Sequence, residues 1–161
     1  MEPLEPPALH QAQAAYGWLE LGNVEEAFAE LERLPEELQS LPAVQAVRLD
    51  CLMFAKDWNS AVKLAQVLCG QWAEEPGLWL HHAYAARRCA GGSIEAAYEL
   101  LAPCVERFPE EWLIPYNVAC YLCQMERLDE ARAMLEMARA KGGERVDAMA
   151  KDDEDLAPLN L

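Results

Sequence analysis

Two cysteines, Cys120 and Cys123, stand three residues apart, and this is the spacing in the sequence that most suggests chemistry. On a helix both thiols lie on one face, where they could share a metal ion or form a redox pair. Tetrahedral zinc needs four ligands, usually from two such pairs, and the sequence has no second CxxC. A redox pair would also need a βαβ context, which this helical pattern lacks. We therefore expect both thiols to be structural, with no metal site.

The histidines and glycines do not complete a catalytic site either. His81 and His82 are adjacent, and neighbouring side chains on a helix point about 100° apart, so they cannot converge on one metal ion. We expect His82 to be partly buried with a hydrogen-bond partner. Gly91-Gly92 indicates a turn and no phosphate loop, and no Ser/His/Asp arrangement with a nucleophile elbow is present. The sequence therefore predicts a protein that is not an enzyme and that takes no cofactor.

The composition is that of one acidic domain. The chain has 161 residues, of which 53% are hydrophobic, and a formal net charge of −15. This length and apolar content suit one domain with a sizeable core. The acidic balance argues against nucleic acid as a partner, because phosphate binding needs a basic surface. Residues 1–40 carry nine acidic side chains against one basic one, which either solubilises the surface or steers a basic partner to this half.

Three features predict a cytoplasmic protein that does not contact the membrane. No stretch approaches the roughly 20 apolar residues that a membrane helix needs. Residues 1–7 have no basic side chain and no apolar run, so we expect a disordered leader and not a secretory signal. The six cysteines lie in apolar helical stretches and suit reduced thiols better than a disulfide framework.

A small residue recurs along the chain with a nearly constant period. Ala27, Ala61, Ala97 and Ala131 are separated by 34, 36 and 34 positions, and a large apolar side chain precedes each by three. Between the prolines and glycines, the apolar residues follow the i, i+3, i+4, i+7 spacing of amphipathic helices. A small side chain lets the two helices of a hairpin cross closely. Because one hairpin cannot bury its apolar face alone, the repeat predicts stacked helical hairpins.

Several of these segments resemble tetratricopeptide (TPR) repeats. Residues 22–27 (GNVEEA) and 127–131 (RLDEA) resemble the turn and the second-helix start of that repeat. Pro109 stands where the family's repeat-ending proline belongs, and Trp79 occupies the aromatic position of the third repeat. Residues 112–138 are the most family-like segment, and they are similar to a group of bacterial TPR proteins without an assigned activity.

The resemblance implies an all-α fold, with about four antiparallel helix-turn-helix hairpins stacked into a right-handed superhelical solenoid and closed by a short C-terminal cap. The TPR domain would cover residues 8–141, after the leader and before a capping segment and tail at residues 142–161. Its repeats would lie at about residues 8–41, 42–75, 76–110 and 111–141.

Three departures from the family pattern are expected to alter single hairpins. Pro103 lies inside the second helix of the third repeat, where proline removes a hydrogen bond and kinks the helix. Leu34-Pro35 should shorten the second helix of the first repeat. The turn through Gly91 and Gly92 is about two residues longer than the family's, which accounts for the one spacing of 36.

In TPR proteins the first helix of each hairpin lines a concave groove that holds a protein or peptide. Here the resemblance places three tyrosines on that surface, which would offer rigid contact area with a polar tip. Arg87 and Arg88, near Asn117, would suit a carboxylate or a peptide backbone. We therefore expect a non-catalytic scaffold or adaptor that binds a protein or peptide mainly through repeats three and four. The candidate contact residues are Tyr16, Asp50, Leu80, Tyr84, Arg87, Arg88, Tyr116, Asn117 and Cys120.

The tail has two possible roles. Residues 152–155 are all acidic and precede Leu156 and Leu159. These leucines could cover the open face of the last hairpin as a cap. Alternatively, the tail is an acidic, hydrophobic peptide that another protein captures. The sequence leaves open whether the tail caps the stack or occupies a groove.

Two other functions remain open beside a peptide-binding scaffold. The second repeat presents Ala46, Val47 and Met53 to its groove, and this apolar surface would suit a structural module that binds a second copy of itself as a homodimer. The length and acidity of the chain would also suit a TPR chaperone for a secreted client.

Overall fold

The computed structural model describes residues 4–160, and these residues are all helical apart from their connections. They contain eleven α-helices, one 3-10 helix and no β-strand, which confirms the all-α prediction. Part of the predicted leader, residues 1–3, lies outside the described residues. Within the described range, no helix combines the length and the apolar content that crossing a bilayer requires. The helices are α1 (Ala8–Glu20), α2 (Val24–Glu32), α3 (Glu36–Gln39), α4 (Pro42–Phe54), α5 (Trp58–Gln71), α6 (Pro76–Arg88), α7 (Ile94–Leu101), α8 (Cys104–Arg107), α9 (Leu113–Gln124), α10 (Leu128–Gly142) and α11 (Glu144–Ala150), followed by the 3-10 helix Glu154–Leu159.

The chain forms two compact units, Met1–His81 and His82–Leu161, and the boundary falls within α6. Consecutive helices pack against each other inside each unit. In the first unit α1 pairs with α2 and α4 pairs with α5, and in the second unit α9 pairs with α10. Short connections between consecutive helices favour neighbouring pairs of this kind.

Three helices begin with a side-chain cap at the same register of the sequence repeat. Asn23 at the start of α2 and Asp57 at the start of α5 each accept a hydrogen bond, at 3.2 Å, from the backbone N–H three residues later. Ser93 does the same at the start of α7, at 3.1 Å. Each cap satisfies an N–H that has no partner inside its helix. Since each cap stands four residues before one of the recurring alanines, all of which are buried, the repeat fixes both where these helices start and which face they bury.

Both of the expected proline effects on helix length are found. α2 ends before Pro35 and α3 begins after it, so the second helix of the first hairpin is short. Pro103 interrupts the helix between α7 and α8, where the sequence predicts a kink, while Ala102 and Pro103 keep right-handed helical dihedral angles. Proline tolerates the first position of a helix because no N–H is needed there, and Pro103 accordingly immediately precedes α8.

One apolar cluster of the first unit is formed mainly by α1, α2 and α4. The inward face of α1 is built from small residues, which lets its neighbours approach closely. Val47, one of the three side chains behind the self-association hypothesis, lies in this core and does not face solvent. The buried members are Ala8, Ala12, Ala15, Leu19, Ala27, Leu31, Leu34, Val44, Val47 and Cys51.

Helix α9 is the centre of the second unit. Nine of its twelve residues are buried, so it is covered on nearly all sides. α10 and α7 pack against it, and the C-terminal 3-10 helix packs against both α9 and α10. A helix that is apolar all round needs such cover, because each exposed face would leave apolar surface in water. Leu156 and Leu159 supply part of it, since each is only 1% exposed.

Candidate functional site

Cys120 and Cys123 both lie on α9 and are buried. Burial raises the pKa of both thiols, and the nearby carboxylates of Asp153 and Asp155 raise that of Cys120 further. A protonated, buried thiol is a poor nucleophile and a poor metal ligand. Within residues 4–160, no group of three or more His, Cys, Asp or Glu side chains is arranged to hold a metal ion.

His82 is buried, and to that extent the sequence prediction is confirmed. Its Nδ1 atom, however, has no hydrogen-bond partner among the described residues, so the expected partner is missing at this nitrogen. Burial lowers the pKa of His82, because desolvation disfavours the charged imidazolium. The side chain therefore contributes packing as a neutral ring.

Two of the predicted contact residues of the first unit, Tyr16 and Asp50, belong to one polar cluster. The Tyr16 hydroxyl donates a hydrogen bond to Asp50 Oδ2 at 2.7 Å. The other oxygen of this carboxylate, Oδ1, lies 3.6 Å from His81 Nε2. Burial, followed by the hydrogen bond to Asp50, raises the pKa of Tyr16. Leu80 lies half-buried on α6. The Asp50 carboxylate is thus engaged by side chains of its own unit.

In the second unit, Arg87 of α6 and Tyr116 of α9 bind residues 153–159, which we call the tail segment. The Arg87 guanidinium donates two hydrogen bonds to the Asp155 carboxylate, one of them from Nη2 to Oδ1 at 2.8 Å. The Tyr116 hydroxyl donates to Asp153 Oδ2 at 2.7 Å, and the Cys120 thiol lies 3.6 Å from the same oxygen. Paired hydrogen bonds between a guanidinium and a carboxylate are among the stronger polar contacts in proteins. Three of the predicted contact residues therefore meet on one acidic segment.

The tail segment is also held through its main chain. Gln124 Nε2 donates to the carbonyl oxygen of Asp155 at 3.1 Å. Arg132 Nη1, on α10, donates to the carbonyl oxygen of Leu159, also at 3.1 Å. Asp153 caps the 3-10 helix by accepting a hydrogen bond from the N–H of Asp155 at 2.9 Å. The segment is therefore recognised by its backbone as well as by its carboxylates.

The tail segment changes the exposure of the predicted groove. Tyr116 and Cys120, which the sequence analysis places on an open surface, are only 3% and 4% exposed. Both contact Asp153, so the tail segment contributes to their cover. Tyr84, which precedes Arg87 by one helical turn, is 39% exposed. The predicted contact surface is thus covered over α9 and exposed at Tyr84.

Arg88 and Asn117 are engaged with their own helices. The Arg88 guanidinium lies over the Tyr84 ring, 3.4 Å from its centroid, and its Nη1 donates to the Tyr84 carbonyl at 3.2 Å. Asn117 Nδ2 donates to the Leu113 carbonyl at 2.8 Å. Arg87, Arg88 and Asn117 line the same cavity. There Arg87 donates to the Asp155 carboxylate, while the Asn117 amide N–H donates within α9.

A cavity of about 290 Å³ remains beside the tail segment. Tyr121 is one of its lining residues, and the buried Tyr121 hydroxyl has no hydrogen-bond partner among residues 4–160. Burial raises the pKa of Tyr121 to about 12. Leaving a buried hydroxyl without a partner lowers the stability of the folded protein by about 1–3 kcal/mol. The cavity thus has room for an additional group. The lining residues are Tyr84, Arg87, Arg88, Tyr116, Asn117, Cys120, Tyr121, Met149, Asp153 and Asp155.

The attachment of the tail segment depends on an ionised Asp155. The hydrogen bonds from Arg87 hold the pKa of Asp155 below its usual 3.8, although burial acts in the opposite direction. A carboxyl group with a lowered folded-state pKa adds stability above its unfolded-state pKa and loses that stability as the pH falls through the folded value. The ion pair is therefore fully formed near neutral pH and weakens only in acid.

The sequence-based expectations do not include Asp153, Asp155 or Tyr121 among the site residues. The available signal is the acidic run before the two leucines, which identifies the tail as a ligand-like segment without showing where it binds. Arg87 and Asp155 are 68 positions apart, so no local pattern connects them.

No protein-family model matches the chain, and no curated protein matches it.

The seated tail segment predicts a difference in thiol reactivity. We expect Cys120 to be alkylated by iodoacetamide at least about 10-fold more slowly than the half-exposed Cys89, because Cys120 is buried and its pKa is raised. Timed alkylation of the native protein, followed by mass spectrometry of tryptic peptides, measures both rates. Equal rates would show that the tail segment does not cover α9 in solution.

Proposed function

We propose that this chain is a non-catalytic TPR-type scaffold or adaptor that binds a protein or peptide partner in the cytoplasm, mainly through its second unit. Two observations support a TPR-like stack of four hairpins: the helices pack in consecutive pairs, and the caps recur at one register. In such a stack the first helix of each pair lines the groove. α6 and α9 hold those positions in the third and fourth predicted repeats, and they carry most of the candidate contact residues.

The observation that carries the proposal is the polypeptide segment already seated on this surface. Arg87 and Tyr116 bind the carboxylates of the tail segment, and Gln124 binds one of its carbonyl oxygens. Charge-assisted hydrogen bonds to the carboxylates and a hydrogen bond to the main chain together hold the segment on this surface. A surface that holds one segment in this way is chemically suited to hold a segment of another protein.

The exposed end of the groove offers further contact area. Tyr84 stacks under the Arg88 guanidinium, and both line the cavity beside the tail segment. Tyrosine and arginine are enriched in protein interfaces and among their energetically dominant residues. A partner bound over α9 would therefore meet Tyr84 as well as the side chains that the tail segment uses.

Photocrosslinking from position 84 tests the proposal. Replacing Tyr84 with p-benzoylphenylalanine is expected to give a crosslink to a partner polypeptide in cells of the native source, because this side chain is half-exposed at the cavity edge. The matched control carries the same photoprobe at Val67 on α5, which is 54% exposed and lies in the first unit. Mass spectrometry of the crosslinked peptides identifies the partner and the contacting segment.

A second substitution separates groove binding from adventitious crosslinking. Asn117→Trp fills the cavity from α9 without removing any contact of the tail segment described above. Combined with the photoprobe at position 84, it should reduce the crosslinked product at least about fivefold, since steric overlap opposes binding. A product that forms equally from position 67, or that Asn117→Trp leaves unchanged, would place partner binding outside this groove.

A further inference from the structure

We infer that the segment this groove takes from its partner is acidic and leucine-bearing, with the pattern Asp-x-Asp-Leu-x-x-Leu, and that it binds by displacing the tail segment. This inference rests on the proposed function. It adds the chemistry of the ligand and identifies a competitor built into the chain. The tail segment shows which ligand positions the groove contacts: Asp153, Asp155, Leu156 and Leu159.

The acidic part of the pattern follows from where the arginines are. The chain has 28 acidic and 13 basic side chains, so few of its positions can attract an anion. Two of its arginines nevertheless bind the tail segment: Arg87 donates to the Asp155 carboxylate and Arg132 donates to the Leu159 carbonyl oxygen. Arg127, by contrast, is paired with Glu130 three residues away, and Arg139 is paired with Glu136 on its own helix and with Asp147 on the neighbouring α11. The Arg87 fork therefore selects for a carboxylate brought by a distant segment.

The leucine part follows from burial and period. Leu156 and Leu159 are three positions apart, which places them on one face of a 3-10 helix, and both are buried against the second unit. The positions between the anchors, Glu154, Ala157 and Pro158, are exposed. A ligand needs the anchor types at these spacings, whereas its intervening residues are free to vary.

The tail segment does not satisfy everything that the groove offers. It leaves the adjoining cavity of about 290 Å³ unfilled. A partner with the same anchors and one further side chain in this cavity would gain contacts that the tail segment lacks. This difference lets an external ligand compete with a segment that is always present.

The tether sets how strongly the tail segment competes. A segment attached through a short linker acts as a ligand at an effective concentration of about 1 mM or more. A free peptide of the same sequence, with an intrinsic dissociation constant near 30 µM, would then bind the intact chain roughly 30-fold more weakly than an empty groove. Removing the anchors from the tail segment should restore this lost affinity.

Fluorescence anisotropy on the full-length chain measures the effect. The probe is a fluorescein-labelled, C-terminally amidated peptide with the sequence of residues 151–160 (KDDEDLAPLN). The open variant, Asp155→Ala/Leu156→Ala/Leu159→Ala, keeps the groove and removes three anchors. We expect it to bind the probe at least about 30-fold more tightly than the wild-type chain does. A scrambled peptide of the same composition is expected not to bind either protein.

A charge exchange tests the groove side of the contact. Arg87→Glu in the open variant should weaken binding of the probe at least about 10-fold, and a probe carrying D155R should recover most of that loss. Rescue by the reversed pair requires direct contact, because general destabilisation of the groove would weaken both probes. Loss of binding without rescue would contradict the assigned contact.

The folding of the open variant is checked by circular dichroism. If that variant is unfolded, Asp155→Asn replaces it, because this change removes only the ion pair; we then expect a gain of about 3–10-fold over wild type. Equal binding of the probe by wild type and by the folded variant would overturn the inference, as would no binding by either. A crosslink from position 84 that persists after such a result would leave the proposed function standing with a ligand of different chemistry.

Discussion

Replacing Gly92 with alanine is expected to destabilise the second unit by about 3 kcal/mol or more, because the added methyl group has no room. A Cβ atom at this position would lie 2.1 Å from the carbonyl oxygen of Ala86 and 3.0 Å from that of Cys89. Both obstacles are backbone atoms in or just after the last turn of α6, so a side-chain rotation cannot relieve the overlap. The turn itself must move, and with it the entry into α7.

Two other glycines provide matched controls. Gly91 has a φ of 76° and open space around it, so Gly91→Ala should cost about 1–2 kcal/mol from backbone strain alone. Gly77 on α6 has no positive φ and no neighbour within 4 Å of the added Cβ. Gly77→Ala should therefore be neutral or stabilising, by up to about 1 kcal/mol, through helix propensity.

Fluorotryptophan NMR during urea unfolding assigns each effect to its unit. Trp112 is the one tryptophan in the sequence of the second unit, and Trp18 packs against the core of the first. For Gly92→Ala, the midpoint reported by Trp112 should fall far below that of Gly91→Ala. If the two variants unfold at the same urea concentration, close backbone approach is not what requires glycine at position 92.

The helix boundaries were predictable because local chemistry determines them. Pro35 and Pro103 lack the N–H that continues a helix, and the structure interrupts a helix at each. The recurring alanine marks a face that must be buried whatever packs on it. The caps at Asn23, Asp57 and Ser93 could also have been found from sequence, since each is a preferred N-cap residue four positions before that alanine.

The exposure of the site residues was not predictable in the same way. Helical periodicity shows that Tyr116 and Cys120 share a face of α9, but it does not show which segment covers that face. The cover comes from residues 153–159, far along the chain, through an ion pair at Arg87 and two buried leucines. One signal was present: α9 is apolar around nearly its whole circumference, so α10 and α7 alone could not cover it.

The Gly91-Gly92 turn is a second feature whose packing could not be predicted from the sequence, here between residues close together in the chain. The sequence indicates a turn that is two residues longer than the family pattern, and α6 and α7 are indeed separated there. The sequence does not show that the two glycines are required for different reasons. Gly91 is needed for its positive φ, and Gly92 is needed because a side chain there would have no room. The second requirement depends on how close the backbone comes to Ala86, which is a property of packing.

The packing of the tail segment leads to the second large expected effect. Leu156→Ala and Leu159→Ala should each lower the free energy of unfolding of the second unit by about 2–4 kcal/mol, as expected for a fully buried leucine. The double variant should lose at least about 1 kcal/mol less than the sum, because the tail segment undocks and the second leucine then has no contacts to lose. Met149→Ala, at a half-exposed position on α11, is the control and should change stability by no more than about 0.5 kcal/mol.

Urea unfolding followed at Trp112 gives the three free energies, and alkylation of Cys120 reports the undocking directly. In the double variant this thiol should react at least about 10-fold faster than in wild type, since the tail segment no longer covers α9. A fully additive loss, with Cys120 still protected, would mean that residues 153–159 are a fixed part of the core. Sub-additive loss with a reactive Cys120 is the behaviour of a segment that leaves its groove as a unit, which is what a displaceable competitor must do.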